Sequence, residues 1–151
     1  TPSVQATQLV HEAWLRLSGR GWKSRTHFLA LASRTMRMVL IDTVRAKMAD
    51  KRDGGWERVE LGPQTEFAGS SITLPLDKVI EVDRALNELN EKDARKAQVV
   101  EMRFFGGLEF GEIAEALDVS LATARRDWEF ARVWLYSRLS ASAAETGAPA
   151  E

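Results

Sequence analysis

At 151 residues with 44% hydrophobic side chains, the chain can bury one ordinary core or two small ones. It contains no cysteine and two histidines, which excludes disulfides and thiolate metal sites and leaves little material for a histidine centre. Net charge is −1, but the charges are segregated: residues 1–58 hold eleven Lys/Arg against five Asp/Glu, residues 59–101 five against nine, and residues 102–151 five against eight.

A basic front end joined to an acidic remainder points to contact with nucleic acid. No apolar run approaches the roughly 18 residues of a membrane span, and the opening TPSVQATQ has neither the basic start nor the apolar stretch of a signal peptide. The chain therefore reads as cytoplasmic, with no membrane partner.

Helical spacing runs nearly throughout and no segment alternates as a strand does, so the expected fold is all-α. Residues 5–17, QATQLVHEAWLRL, place Leu9, Val10, Ala13, Trp14 and Leu17 on one stripe. SGRGWKSR, residues 18–25, interrupts it with two glycines. A long helix is predicted from Thr26, as N-cap, to about Asp50. Phe28, Ala32, Thr35, Val39 and Thr43 fall on one face of it, and Arg34, Arg37, Ile41, Arg45 and Met48 roughly opposite, giving a buried side and a basic side. Residues 53–75 are rich in Gly, Ser and Pro and form the expected linker between two small helical domains, 1–52 and 76–139. The second domain begins with a helix over 76–90, Val79, Val82, Leu86 and Leu89 inward, and another over 93–105 ended by Gly106 and Gly107. A short amphipathic helix over 110–117, a turn over 118–120 and a helix from Leu121, N-capped by Ser120, to about Leu139 complete it. Residues 140–151 have the composition of a disordered tail.

The last two helices have the outline of a helix-turn-helix. Ala124, Trp128, Ala131 and Leu135 share a packing face, which leaves Ala122, Arg125, Arg126 and Glu129 outward and Thr123 at the edge. The first two turns of such a helix enter a major groove, where arginine can bond guanine edges and a helix N-terminus can hold phosphate. Further along, Phe130, Val133 and Trp134 form an apolar patch that either meets a partner or closes over the helix of residues 76–90.

The string VVEMRFFGGLEFGEIAEALDVSLATARRDWEFARVWL resembles region 4 of the sigma-70 family, and LVHEAWLRL followed by HFLALASRTMRMVLIDTVRAKMADKR resembles region 2. The two in this order, with nothing like region 3 between them, resemble the extracytoplasmic-function (ECF) group over about residues 5–139. Family members carry a further segment before the LVHEAWLRL helix, so the start of region 2 is expected to be missing here.

The resemblance implies roles for particular residues. Leu9, Glu12 and Arg16 are expected to dock on core RNA polymerase. Trp22, Lys23, Arg25 and His27 lie in the loop that captures a base flipped from the minus-ten element. Arg34, Arg37 and Arg45, with Lys47, Lys51 and Arg52, are placed to follow minus-ten phosphates. Thr123, Arg125 and Arg126 are expected to read the minus-thirty-five element, with Ser120 near a phosphate. The implied partners are core RNA polymerase and promoter DNA, with either the polymerase flap or an inhibitory anti-sigma protein at the apolar patch, in the bacterial cytoplasm, with no cofactor and no small-molecule substrate.

Catalysis is not expected. His11 and Glu12 begin a zinc-protease HExxH, but Leu15 stands where its second histidine is required, and the GRG and GG pairs follow helices rather than strands. A stand-alone helix-turn-helix regulator is the other reading. The acidic second domain, with few cations to neutralise phosphate, argues against it.

Overall fold

The computed structural model describes residues 6–19, 21–49, 58–61 and 72–145, with side chains over 11–19, 21–49 and 74–140. Its elements are α1 (Ala6–Leu17), α2 (Arg25–Ala49), β1 (Arg58–Leu61), β2 (Ile72–Pro75), α3 (Leu76–Lys92), α4 (Ala94–Val100), a π-helical turn (Glu101–Phe105), α5 (Phe110–Leu117) and α6 (Leu121–Glu145). The fold is all-α, with one small strand pair.

The cap of α2 is Ser24, not Thr26: its Oγ accepts from the His27 N–H at 3.1 Å, and His27 Nδ1 in return accepts from the Lys23 N–H at 2.9 Å. Two donors at the helix start are thereby satisfied reciprocally. With no Gly or Pro inside it, α2 runs for 25 residues. Its enclosed hydroxyls are satisfied locally, since Ser33, Thr35 and Thr43 each donate to the carbonyl four residues back.

Val79, Val82, Leu86 and Leu89 of α3 are buried, as their spacing predicts. They meet Val39, Leu40 and Val44 of α2, Val100 and Phe104 behind α4, and Ala131 and Leu135 of α6 in one continuous core. The long basic helix and the helices of 76–139 are therefore packed together. Where the π-helical turn crosses α2 the fit is close: a Cβ on Gly106 would lie 2.0 Å from Ser33 Oγ. Gly107 (φ +67°) then turns the chain out, with the Leu108 N–H bonded back to Met102 O at 3.0 Å. A second cluster, Val99, Met102, Leu108, Ile113, Ala114 and Ala124, lies under α5 and the start of α6.

Four expectations are corrected. The region assigned wholly to a linker contains an antiparallel ribbon, Arg58 opposite Pro75 and Leu61 opposite Ile72. Four residues per strand are too few to declare a period, and RVEL and ITLP carry the β-branched residues that pairing favours. Trp14 is 55% exposed rather than core, because Ala13 and Leu17 already fill the contact with α2. Ile41, assigned to the basic side of α2, is buried, since α3 covers part of that side. Finally, α6 continues to Glu145, six residues into the expected tail. SASAAE holds only serine, alanine and glutamate, which a preceding helix can propagate through.

Candidate nucleic-acid interface

The helix-turn-helix is built from α5, a turn and α6. Asp118 closes α5 in the left-handed conformation (φ 55°, ψ 49°), and the Val119 N–H returns to Ala114 O at 3.0 Å. Ser120 then caps α6: its Oγ accepts from the Thr123 N–H at 3.1 Å and donates to Thr123 Oγ1 at 2.9 Å. Arg126 Nη2 also reaches Thr123 Oγ1, at 3.4 Å, so this oxygen accepts twice and its own O–H remains to donate outward. Ala122, Arg125, Arg126 and Glu129 are exposed while Ala124 and Ala131 are fully buried, as the spacing predicts.

The rotation of α6 about its axis is fixed by Trp128, expected on the packing face, and by charged groups that sequence reading missed. Asp127 is 4% exposed and holds α6 to α4 through Arg95 Nε at 2.6 Å and Nη2 at 3.2 Å, with Lys96 Nζ at 3.6 Å. This carboxylate raises Arg95 above its already high ordinary pKa. Trp128 packs edge-on against Phe104 at 5.0 Å and Phe110 at 6.3 Å. Arg103, itself buried, donates to Leu108 O at 3.1 Å and lies 4.1 Å from the Phe110 ring centre. The Arg125 guanidinium is 5.8 Å from that same ring, so the turn, the ring and an outward arginine are stacked in series.

The loop before α2 holds Trp22, 42% exposed and tilted against Phe28 at 4.8 Å. Lys23 is exposed, and His27 is half-buried with Nδ1 occupied as the α2 cap. Arg25 reaches across to α5 and pairs with Glu112 at 3.1 Å, while the other Glu112 oxygen caps the Glu109 N–H.

On α2 the predicted basic face divides. Arg34 and Arg45 are exposed and make no ion pair among the described residues. They border a groove of about 440 Å³ between α2 and α3 that Met38, Ile41, Asn87 and Asn90 also line. Arg37, between them in sequence, is not on a free basic face. Its guanidinium donates to Asp83 Oδ1 at 2.8 Å, Asp83 O at 3.2 Å, Asn87 Oδ1 at 2.9 Å and Glu101 Oε2 at 2.9 Å. The exposures are 13% for the Arg37 side chain, 12% for Asp83 and 18% for Glu101. Asp83 could have been found in the sequence: it sits beside Val82 on the apolar stripe of α3, where an acid requires a buried partner. Lys47 is half-buried, and Lys51 and Arg52 lie outside the described residues.

Of the residues expected to meet polymerase, Glu12 is exposed and Arg16 pairs with Asp42 at 3.0 Å, joining α1 to α2. The Leu9 side chain lies outside the described residues. The apolar patch of α6 is split. Trp134 turns in against the core between Lys92 and Arg138, at 5.6 and 5.5 Å, whereas Phe130, Val133 and Tyr136 are 54%, 60% and 73% exposed.

Among the described residues no group of three or more His, Cys, Asp or Glu could hold a metal ion, and no helix is long and apolar enough to cross a membrane. A serine-capped helix presenting Thr123, Arg125 and Arg126, set one short turn behind a smaller helix, defines a helix-turn-helix DNA-binding protein. The family model of the ECF sigma factors matches residues 2–141, and the chain belongs to that family. No curated protein and no solved structure matches it. By family it is a regulatory transcription initiation factor, not an enzyme, with core RNA polymerase and promoter DNA as partners.

Proposed function

We propose that this chain directs core RNA polymerase, in the bacterial cytoplasm, to promoters carrying two separated elements. The minus-thirty-five element is read by Thr123, Arg125 and Arg126, with Ser120 and the start of α6 holding a phosphate. The minus-ten element is engaged by Trp22 and Lys23 of the loop, by Arg25 and His27 in the first turn of α2, and by Arg34, Arg37 and Arg45 further along it. Residues 1–52 and 76–139 act as separate units in that complex, and Leu9, Glu12 and Arg16 face polymerase. The observation that carries the reading is the outward Arg125 and Arg126 pair on a helix whose other side is fixed by Asp127 and Trp128. The exposed Phe130, Val133 and Tyr136 supply an apolar surface for polymerase, or for an anti-sigma protein that competes with it.

Transcription reconstituted with core polymerase tests this. Promoter-specific initiation is expected only when the chain and core are both present. Tight promoter binding by the isolated chain, with no effect on core, would instead identify a stand-alone regulator.

A further inference from the structure

We propose that Phe110 is a specificity-determining positioning residue: its ring holds the Arg125 guanidinium in the attitude that reads a base pair, without occupying any of the N–H groups that do the reading. This rests on the promoter reading above, in which Arg125 contacts the minus-thirty-five element.

The two neighbouring arginines of α6 are held in different ways. Arg126 Nη2 donates to Thr123 Oγ1 at 3.4 Å. Arg125 makes no hydrogen bond and no ion pair among the described residues, and Glu129, one turn on, is engaged by Arg132 at 2.9 Å. What Arg125 meets is the Phe110 ring, with the guanidinium carbon 5.8 Å from the ring centre. An aromatic face attracts a cation through its quadrupole, whereas a carboxylate would engage the hydrogen-bonding edge of the guanidinium. Every N–H donor of Arg125 therefore stays available, and a guanine offers O6 and N7 to such a free edge.

Phe110 is itself fixed. The buried Arg103 guanidinium lies 4.1 Å from its ring centre. Arg103 Nη1 is fastened to Leu108 O at 3.1 Å, with the Glu109 carboxylate 3.5 Å from the same nitrogen. Trp128 meets the Phe110 ring edge-on at 6.3 Å. Phe110 opens α5 and Arg125 stands in the second turn of α6, so the contact ties the reading side chain to the neighbouring helix.

A free arginine loses rotamer freedom when it docks on a base, and one already confined loses less. That advantage belongs only to the base pair that suits the confined geometry. Preorganisation by the ring is therefore felt as selectivity at one position, not as a general gain in affinity for DNA.

The test is transcription with core polymerase from promoters randomised over the minus-thirty-five element. Arg125→Ala is expected to flatten selectivity at one base pair, which assigns that pair to Arg125. Phe110→Leu keeps an apolar side chain but removes the aromatic face. It is expected to lower selectivity at the same pair about threefold, while the other pairs keep theirs. Phe110→Tyr restores the ring and is expected to keep the wild-type preference. In the Arg125→Ala background Phe110→Leu should add no further loss at that pair, as for two groups acting through one contact. Nitrogen-15 relaxation of the arginine Nε–H groups in the free chain gives a second measurement. Arg125 is expected to be more ordered than the exposed Arg34, and Phe110→Leu to remove the difference.

Selectivity that falls equally at every pair in Phe110→Leu would make the ring a support of the helix-turn-helix as a whole and overturn the proposal. Unchanged selectivity at the Arg125 pair overturns it too, and both results leave the promoter reading intact. If Phe110→Leu fails to fold by circular dichroism, the wild-type relaxation decides, and an Arg125 as mobile as Arg34 overturns the proposal. Arg125→Ala without loss of selectivity at any pair overturns the reading role of Arg125 and its positioning together.

Discussion

Helices α2 and α6 are each 25 residues long and each carry the arginines assigned to one promoter element, yet they treat those arginines in opposite ways. On α6 the anchoring acid, Asp127, lies on the inner side and Arg125 and Arg126 are left outward. On α2 the equivalent anchor is itself an arginine of the candidate surface, Arg37, and Arg34 and Arg45 make no ion pair among the described residues. The difference teaches that a cation on the polar face of a helix is open to nucleic acid in this arrangement only if no acid from elsewhere in the chain reaches it first.

The largest expected effect separates the two kinds of arginine on α2. Arg37→Ala leaves Asp83 and Glu101 enclosed without their partner and should cost about 3 kcal/mol of stability in chemical denaturation. If it costs no more than Arg34→Ala, the contrast drawn between the two helices collapses. Next, Arg126→Ala should leave stability nearly unchanged but weaken promoter use by about 1–3 kcal/mol and relax selectivity at one base pair. Equal transcription by this variant from wild-type and base-substituted promoters would remove Arg126 from the reading surface.

A smaller effect probes the anchored side of α6 through α4, whose Arg95 and Lys96 hold Asp127. The Lys96 ammonium keeps the Asp93 carboxyl below its ordinary range, helped by the Lys96 N–H that Asp93 caps at 3.2 Å. A carboxyl with a lowered folded pKa binds fewer protons in the native state than in the unfolded one. Its contribution is therefore full above about pH 4 and is lost as pH falls through and below that value. Asp93→Asn retains a capping oxygen, so its cost at pH 7 should stay within about 1 kcal/mol, with a flatter melting-temperature curve between about pH 5 and 2. An unchanged slope would show that Lys96 does not act through Asp93. Smallest of all, Arg34→Ala or Arg45→Ala should alter stability by less than about 0.5 kcal/mol. Each should lower the salt dependence of promoter binding by about one phosphate contact, measured in the holoenzyme.

What the sequence made legible follows from how local each feature is. The bounds of α5, the serine cap of α6, the inward stripe of α3 and the outward Arg125 and Arg126 depend on residues within a turn or two, where periodicity and capping chemistry apply. Trp14, Ile41 and Arg37 failed the same test because their surroundings are set across the chain: Arg37 meets Asp83 and Glu101 at separations of 46 and 64 residues. Asp127 was overlooked for a related reason. It is flanked by the arginine pair and Trp128, and only the arrival of Arg95 from α4 shows that it faces inward. The cap at Ser24 rather than Thr26 is a smaller miss, a choice between two hydroxyls within hydrogen-bond distance of each other.

The ribbon of β1 and β2 sets how strongly the two halves of the chain see one another. With Arg58 paired to Pro75, the path from Ala49 to Leu76 is about nine residue steps, a reach of about 30 Å; unpaired it is about 27 steps and about 90 Å. Effective concentration falls roughly as the −3/2 power of tether length, so releasing the ribbon dilutes each half in the presence of the other about fivefold. Four residue pairs of backbone thus shorten the covalent path between the two halves about threefold.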